Sequence, residues 1–422
     1  MPTNTASTIA HSRTTSALNE ASIVLSLFLM RLVAGILENF GVPHLSEIAA
    51  LIMLAGLAIL FLHRMRIAQS AGLFLAGILA WVLSGALSYA ANPAADAQAT
   101  VMLLTLLLLY GLFANAAATY LRDRSGLTIA SRILIIFIIG GFALSLFQIL
   151  SNSGFVAQGR DTTQRAFGSD VHPVSFAIQL VAALSALEII RLKKGRPASV
   201  FHIAVMAMGL VAIYLTFART AWVMGAVVIG LSVILRGKFA RRVSMAALAT
   251  IIGLSLLFTS QRFADLGNLP VFMSNFSIHD AVFDWRYVDN SISWRIVNWS
   301  IGLQQAQEQP WLGFGPGQSA VSSFFNLEMH NVFLEVFFEG GVIGLFALLL
   351  TLAGLFRMHR HLPTTTPADR KARIVANGFG LSLLFAVTFS TSFVDQLMSF
   401  LLYQILLACA GASSNQQRDG RI

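Results

Sequence analysis

Twelve apolar runs govern what this 422-residue chain can become, at roughly 21–37, 45–62, 70–90, 100–120, 133–150, 172–190, 200–217, 221–235, 243–259, 331–356, 374–392 and 396–412. An apolar segment of about 20 residues spans a bilayer as a helix. The runs therefore predict an all-α polytopic membrane protein with about 12 transmembrane helices. Charge agrees, since only 11% of residues are Asp, Glu, Lys or Arg, whereas a soluble domain carries about 25%. The runs at 200–217 and 221–235 nearly abut, which fits either one broken helix or a tight hairpin.

The net charge of +9 fits membrane topology better than nucleic-acid binding. The basic residues are spread over short loops and form no stripe. If all twelve runs cross, 21 of the 28 Lys and Arg residues fall on one side. Basic loops are retained in the cytoplasm, so both termini are expected there. Cys409 is the single cysteine, which leaves no intrachain disulfide and no cysteine metal site. The first run contains Arg31 and lacks a small-residue cleavage site, so it reads as a retained span. The expected organisation is a polar cytoplasmic tail at 1–20, nine spans over 21–259, one large outer loop at 260–330, three spans over 331–412 and a tail at 413–422.

The outer side keeps six basic residues, all arginine: Arg160, Arg165, Arg219, Arg262, Arg286 and Arg295. The four lysines lie on the inner side. Topology alone disfavours either type outside, so the guanidinium itself is wanted there. Its planar fork binds phosphate bidentately, where Lys is a point charge. Pairing with outer aspartates such as Asp161 and Asp170 is the competing explanation for any one of them.

The loop at 260–330 holds four of the six tryptophans, Trp285, Trp294, Trp299 and Trp311. Within it Ile292, Ile296, Trp299 and Leu303 recur at helical spacing, while Ser293, Arg295, Asn298 and Gln304 fall off that stripe. This predicts a surface amphipathic helix with Arg295 on its polar side. Next comes G-F-G-P-G, where Gly313, Gly315 and Gly317 position a tight turn. The loop closes on His330-Asn331, at the start of a long apolar run.

Histidine titrates near neutral pH and can take a proton from a hydroxyl. His330 is thus the candidate base, kept neutral by nearby arginines and the positive end of the following helix. Asn331 is a candidate to orient an imidazole or a sugar hydroxyl. Glu335 and Glu339, four residues apart, share a face of that helix. A carboxylate inside a span is costly and usually functional or paired. Glu335 is the catalytic candidate of the two, because the glycines beside Glu339 signal close packing. No D-x-D, H-x-x-x-H or C-x-x-C pattern occurs on the outer loops, so neither a metal nor another cofactor is expected. The residues point to a membrane enzyme that grips a phosphate-bearing lipid and transfers its cargo. A polar-lipid transporter or flippase is the reading from another class. It predicts internal repeats and paired mid-membrane charges, of which only Arg31 gives a trace.

Over 290–350 the chain resembles the O-antigen ligase and polymerase superfamily of bacterial inner membranes. The resemblance is carried by Arg295, Trp299, G-F-G-P-G, His330-Asn331, Leu334, Glu335 and Glu339-Gly340-Gly341, with T-F-A-R-T-A-W at Thr216–Trp222 and R-A-F-G-S-D-V-H-P at Arg165–Pro173. It implies a GT-C-like fold with a periplasmic active site, and metal-independent, inverting transfer of a glycan from undecaprenyl diphosphate. His330 matches the catalytic histidine. Arg219 and Arg295 match essential arginines, and Arg160 or Arg165 matches a further one. Phe217-Ala218 departs from the small-residue run usual before the middle arginine. The implied acceptor is lipid A–core for a ligase, the favoured branch, or a growing glycan for a polymerase of O-antigen or exopolysaccharide.

Overall fold

The computed structural model describes residues 5–39, 41–63, 67–154, 164–170, 172–195, 197–235, 291–323, 328–389 and 396–412. They form thirteen α-helices: α1 (Thr5–Asn39), α2 (Leu45–His63), α3 (Gly72–Ala91), α4 (Ala97–Tyr120), α5 (Arg124–Leu150), α6 (Pro173–Lys193), α7 (Val200–Leu215), α8 (Arg219–Ile234), α9 (Ser291–Ala306), α10 (Ser319–Ser322), α11 (Val332–Arg360), α12 (Pro367–Phe389) and α13 (Leu397–Gly411). Among the described residues, seven helices are long and apolar enough to cross a membrane: α2 to α6, α11, and α1 over Glu20–Asn39. Helices α7 and α13 are apolar but shorter, and α8 and α12 take in the run at 221–235 as far as Ile234 and the run at 374–392 as far as Phe389. The run at 243–259 lies outside the described residues, as do Arg160 and the loop over 260–290.

Several helices begin before their apolar runs because polar residues cap them. The Asp123 carboxylate accepts the Gly126 N–H at 2.7 Å and starts α5. At the head of α12, Thr366 Oγ1 accepts from Asp369 N–H at 3.1 Å, while the Asp369 carboxylate accepts from Thr366 N–H at 3.1 Å. This reciprocal cap satisfies two end donors at once. Helix α1 starts at Thr5, so most of the stretch expected as a polar tail is helical. No proline or glycine interrupts it before Gly35.

Helix α6 is the axis of the bundle. Almost all of its side chains are buried, and α5, α7, α8, α12 and α13 pack around it. A second group, α1 to α4 with α11, stands alongside. Its most extensive contact joins α3 to α11, where Gly77 and Gly354 let the backbones approach. A Cβ at Gly77 would lie 2.5 Å from Thr351 N, and one at Gly354 would lie 2.4 Å from Phe74 Cα. Helices α7 and α8 barely touch each other. They diverge from the turn at 216–218, one onto α5 and α6, the other onto α6 and α12. The sequence left a broken helix or a hairpin open, and the structure is a splayed hairpin. Phe217 turns it with a left-handed φ of 51°.

Hydrogen bonds between connections sort the loops to two ends. At one end Lys193 Nζ donates to Asp369 at 2.6 Å and to the Ala412 carbonyl at 2.5 Å, all within the core. Arg122 donates to Ser70 Oγ at 2.9 Å. At the other end Asn39 Nδ2 donates to the Asp170 carbonyl at 3.1 Å, Ala166 N–H to the Leu215 carbonyl at 2.9 Å, and Asn92 Nδ2 to the Gly313 carbonyl at 2.9 Å. This second end carries Arg165, Arg219, Arg295 and His330.

Helix α11 is broken at Gly341, whose φ of 60° and ψ of −156° are open only to glycine. The G-F-G-P-G segment fills the break. Phe314 N–H donates to the Phe338 carbonyl and Gly315 N–H to the Glu339 carbonyl, each at 2.9 Å. Val342 N–H returns a bond to the Pro310 carbonyl at 2.8 Å. The backbone groups freed by the kink thus find partners, as a segment shielded from water requires. The three glycines have φ of 65°, 114° and 74°, and a Cβ at Gly313 would sit 2.5 Å from the Phe338 carbonyl oxygen.

A paired test follows. Gly341→Ala places its Cβ 2.3 Å from the Trp311 carbonyl carbon. Strain and overpacking together should cost roughly 2–5 kcal/mol, seen as a fall in thermal unfolding temperature in detergent. Gly340→Ala, with nothing within 4 Å of its Cβ, should unfold like the parent. Equal behaviour of the two variants would refute this account of the kink.

Candidate active site

His330 stands one residue before the N-cap of α11. The Asn331 side-chain oxygen accepts from Phe333 N–H at 3.0 Å and Leu334 N–H at 3.1 Å. Its amide oxygen therefore holds the helix start, which turns the expected orienting role toward the backbone. The histidine is pinned from the other side by α9. Trp299 Nε1 donates to the Met329 carbonyl at 2.6 Å, and Asn298 Nδ2 to the Glu328 carbonyl at 3.0 Å. Gly302 admits Met329, since a Cβ there would lie 2.5 Å from the sulfur.

The residues that α9 buries are Val297, Asn298, Ile301, Gly302 and Ala306, with Arg295 and Trp299 half-buried at the margin. This corrects the apolar stripe read from the sequence. Leu303 is 45% exposed, whereas Asn298, expected on the polar side, is 2% exposed. The helix is organised by hydrogen bonds to the 328–329 backbone as much as by hydrophobicity, so periodicity mistook its inner face.

Between these supports His330 adopts φ of 50°. A non-glycine residue in the left-handed region stores strain and is enriched at functional sites. Its Nδ1 is buried and has no hydrogen-bond partner among the described residues. Buried polar atoms are almost always satisfied, so this nitrogen is open to a partner from outside the described residues. Burial, then the charges of Arg295 and His172, push the imidazole down to about 4. At neutral pH the ring is uncharged and able to accept a proton.

His172 belongs to the same electrostatic neighbourhood. Its ring too lies below the usual histidine range, through burial and then the charges of Arg165 and Arg295. The loop before it is clamped by Gln148 of α5. The Gln148 amide oxygen accepts from Phe167 N–H at 3.0 Å and Gly168 N–H at 2.8 Å, and its nitrogen donates to the Gly168 carbonyl at 3.1 Å. Asp170 takes a short hydrogen bond from Gln179 Nε2, and its charge reaches Arg31 of α1. The Ala166–Leu215 bond ties this loop to the α7–α8 turn, which sets Arg165 and Arg219 beside the same connection.

The structure thus gathers His330, Arg295 and Arg165, adds His172, and places Arg219 at the adjoining turn. Arg160 falls outside the described residues. Glu335 is buried in the first turn of α11, its N–H bonded to the Asn331 carbonyl at 2.9 Å. Glu339 is a structural carboxylate that accepts from Ser319 N–H at 3.1 Å. Gly313, Gly315 and Gly317 brace α11 just before its break at Gly341, about 13 Å along the chain direction from His330 at ~1.5 Å per residue. They position the helix, and only through it the site. Among the described residues no cluster of three or more His, Cys, Asp or Glu could hold a metal ion. Sequence reasoning passed over His172, although a polar residue followed by proline at the head of an apolar run is an N-cap signature.

Residues 203–349 match the family model described as O-antigen ligase. The matched stretch begins in α7 and takes in Arg219, Arg295, the G-F-G-P-G segment and His330 before ending inside α11. No curated protein matches the chain in sequence. The superfamily read from the motifs is borne out over this stretch, and its members are glycosyltransferase-like enzymes.

Proposed function

With an O-antigen ligase domain over residues 203–349 as the premise, we propose that the chain moves a glycan from undecaprenyl diphosphate to an acceptor hydroxyl at the periplasmic face of the bacterial inner membrane. The acceptor is lipid A–core. The observation that carries this reading is the buried Nδ1 of His330, without a partner among the described residues and within the field of Arg295.

The acceptor hydroxyl oxygen attacks the anomeric carbon as its proton passes to His330. The bond from that carbon to the diphosphate oxygen breaks, and undecaprenyl diphosphate leaves with the electron pair. One displacement inverts the anomeric centre. Negative charge grows on the leaving group, where Arg165, Arg219 and Arg295 oppose it, with Arg160 as a further ligand. Each charge-assisted hydrogen bond contributes about 1.5–3 kcal/mol, and donors fixed before reaction act without reorganisation. Glu335, buried in the first turn of α11, is the carboxylate assigned to assist the base.

The deciding experiment offers purified protein an undecaprenyl-diphosphate glycan with lipid A–core and a second donor as rival acceptors. Transfer to lipid A–core is expected. Chain growth on the second donor would make the enzyme a polymerase, and no transfer to either would overturn the reading. Because arginines carry the charge stabilisation here, the rate should survive EDTA. A loss restored by a divalent cation would contradict the metal-free scheme.

A further inference from the structure

We propose that Arg31 of α1 and Ser169 of the 164–170 loop form a phosphate subsite, which binds a phosphate of the lipid-linked donor from inside the first span. This deepens the transferase reading and rests on it.

Arg31 lies within the first apolar run, roughly two turns before α1 ends at Asn39. A charged side chain inside a span is costly and is kept for function or for a partner. Its guanidinium climbs along the helix toward Asn39. Nη1 stands 3.3 Å from the point where a Cβ on Gly35 would lie, and the Ser169 carbonyl oxygen stands 3.2 Å from the same point. The missing side chain at Gly35 is what lets the guanidinium and the loop meet. One turn further on, Asn39 Nδ2 donates to the Asp170 carbonyl at 3.1 Å. Arg31, Gly35 and Asn39, at i, i+4 and i+8, are thus one face of α1 laid against this loop.

The meeting point is under-bonded. Arg31 Nε and Ser169 Oγ are both buried, and neither has a hydrogen-bond partner among the described residues. Groups of this kind are almost always satisfied, so two of them on facing segments mark a place for a ligand. Both can donate, so the ligand is an acceptor. The carboxylates whose charges bear on Arg31 include Asp170 and Glu38. Each is held elsewhere, since Asp170 takes the hydrogen bond of Gln179 Nε2 and Glu38 Oε2 accepts from Ser46 N–H at 3.2 Å. They offset part of the arginine's charge and leave its Nε open.

The surroundings select a lipid phosphate. The same loop carries Arg165, and its Ala166 N–H bonds the Leu215 carbonyl at 2.9 Å, beside the turn that leads to Arg219. Arg31 therefore adds a guanidinium from α1 to those around this connection. A phosphate presents several acceptor oxygens, which suits a planar fork with a hydroxyl beside it. A cavity of about 690 Å³ runs along α1 at Ser22, Ile23, Ser26, Leu27 and Met30. Leu27 is one turn before Arg31 on the same face, so a lipid chain lying there leads to the guanidinium.

Three variants of the full-length protein test this. Ser169→Ala deletes one buried hydroxyl and should unfold like the parent. Arg31→Lys keeps the charge and loses Nε. Arg31→Met keeps the bulk and loses the charge. Binding of undecaprenyl diphosphate alone and thermal unfolding are measured in detergent. The Kd for undecaprenyl diphosphate should rise about tenfold in Ser169→Ala, the loss of one hydrogen bond to a charged group. It should rise at least as much in Arg31→Lys and most in Arg31→Met. The stabilisation that saturating undecaprenyl diphosphate confers on the parent should shrink in the same order. Parent-like binding by either Ser169→Ala or Arg31→Lys would overturn the subsite. Losses that track the unfolding temperature of the unliganded variants would reduce Arg31 to a brace for the loop. Phosphatidylglycerol vesicles should compete weakly, and strong competition would assign the site to bulk lipid phosphate instead. The binding measurement stands apart from catalysis. Should the protein transfer glycan to no acceptor, the transferase reading falls while these affinities still decide Arg31.

Discussion

His330→Ala is expected to lower glycan transfer by about 10²- to 10⁴-fold, the usual worth of a positioned general base, with the protein still folded and membrane-inserted. The φ of 50° at this residue makes alanine an imperfect control, because Ala resists the left-handed region. Asparagine visits it readily. His330→Asn should therefore unfold like the parent and be as inactive as the alanine variant. Transfer rates and thermal unfolding on the same preparations separate chemistry from backbone strain. Retention of more than a tenth of the parental rate in the asparagine variant would remove the base assignment. The KM for the donor should change little, since the imidazole meets the acceptor's proton and not the diphosphate.

The spans were legible because they follow from one property, uninterrupted apolar length. Helices α2 to α6 and α11 coincide with runs marked by hydropathy alone. Their starts were less legible, because caps such as Asp123 and Thr366–Asp369 extend helices into polar sequence that hydropathy excludes. The kink at Gly341 could be sensed from the Glu-Gly-Gly run. What could not be sensed is that G-F-G-P-G inserts its amides into that kink, a pairing of segments about 25 residues apart that no local pattern encodes. The same limit governs the site. His330 and Arg295 were visible from residue type and position. His172 was not, because its membership depends on a loop folded back by Gln148 and by Leu215, residues of α5 and α7. Periodicity failed on α9 for a related reason, since Asn298 is buried to hold a carbonyl.

Arg295 allows charge and shape to be told apart. Arg295→Lys keeps the positive charge and deletes the planar fork, so the barrier should rise by the loss of about one charge-assisted hydrogen bond, roughly 1.5–3 kcal/mol or 10- to 100-fold in rate. Arg295→Gln removes the charge as well and should fall further. The two variants should also differ in pH dependence. In the parent His330 is pushed down to about 4, by burial first and Arg295 second, so its protonation places no acid limb on kcat/KM between about pH 5 and 8. Lysine maintains that field, and the limb stays low. Glutamine abolishes it, so the His330 pKa rises part of the way toward the free value of about 6.5. Burial remains, so the rise is incomplete. The acid limb should then enter the measurable window, with activity lost as pH falls through it. Carbethoxylation of His330, which needs the neutral ring, should show the same displacement without reference to turnover. A parent-like rate for the lysine variant would make Arg295 a point charge and nothing more. An unmoved limb in the glutamine variant would mean that Arg295 does not govern the base, and the crevice would have to be assembled from Arg165 and Arg219 alone.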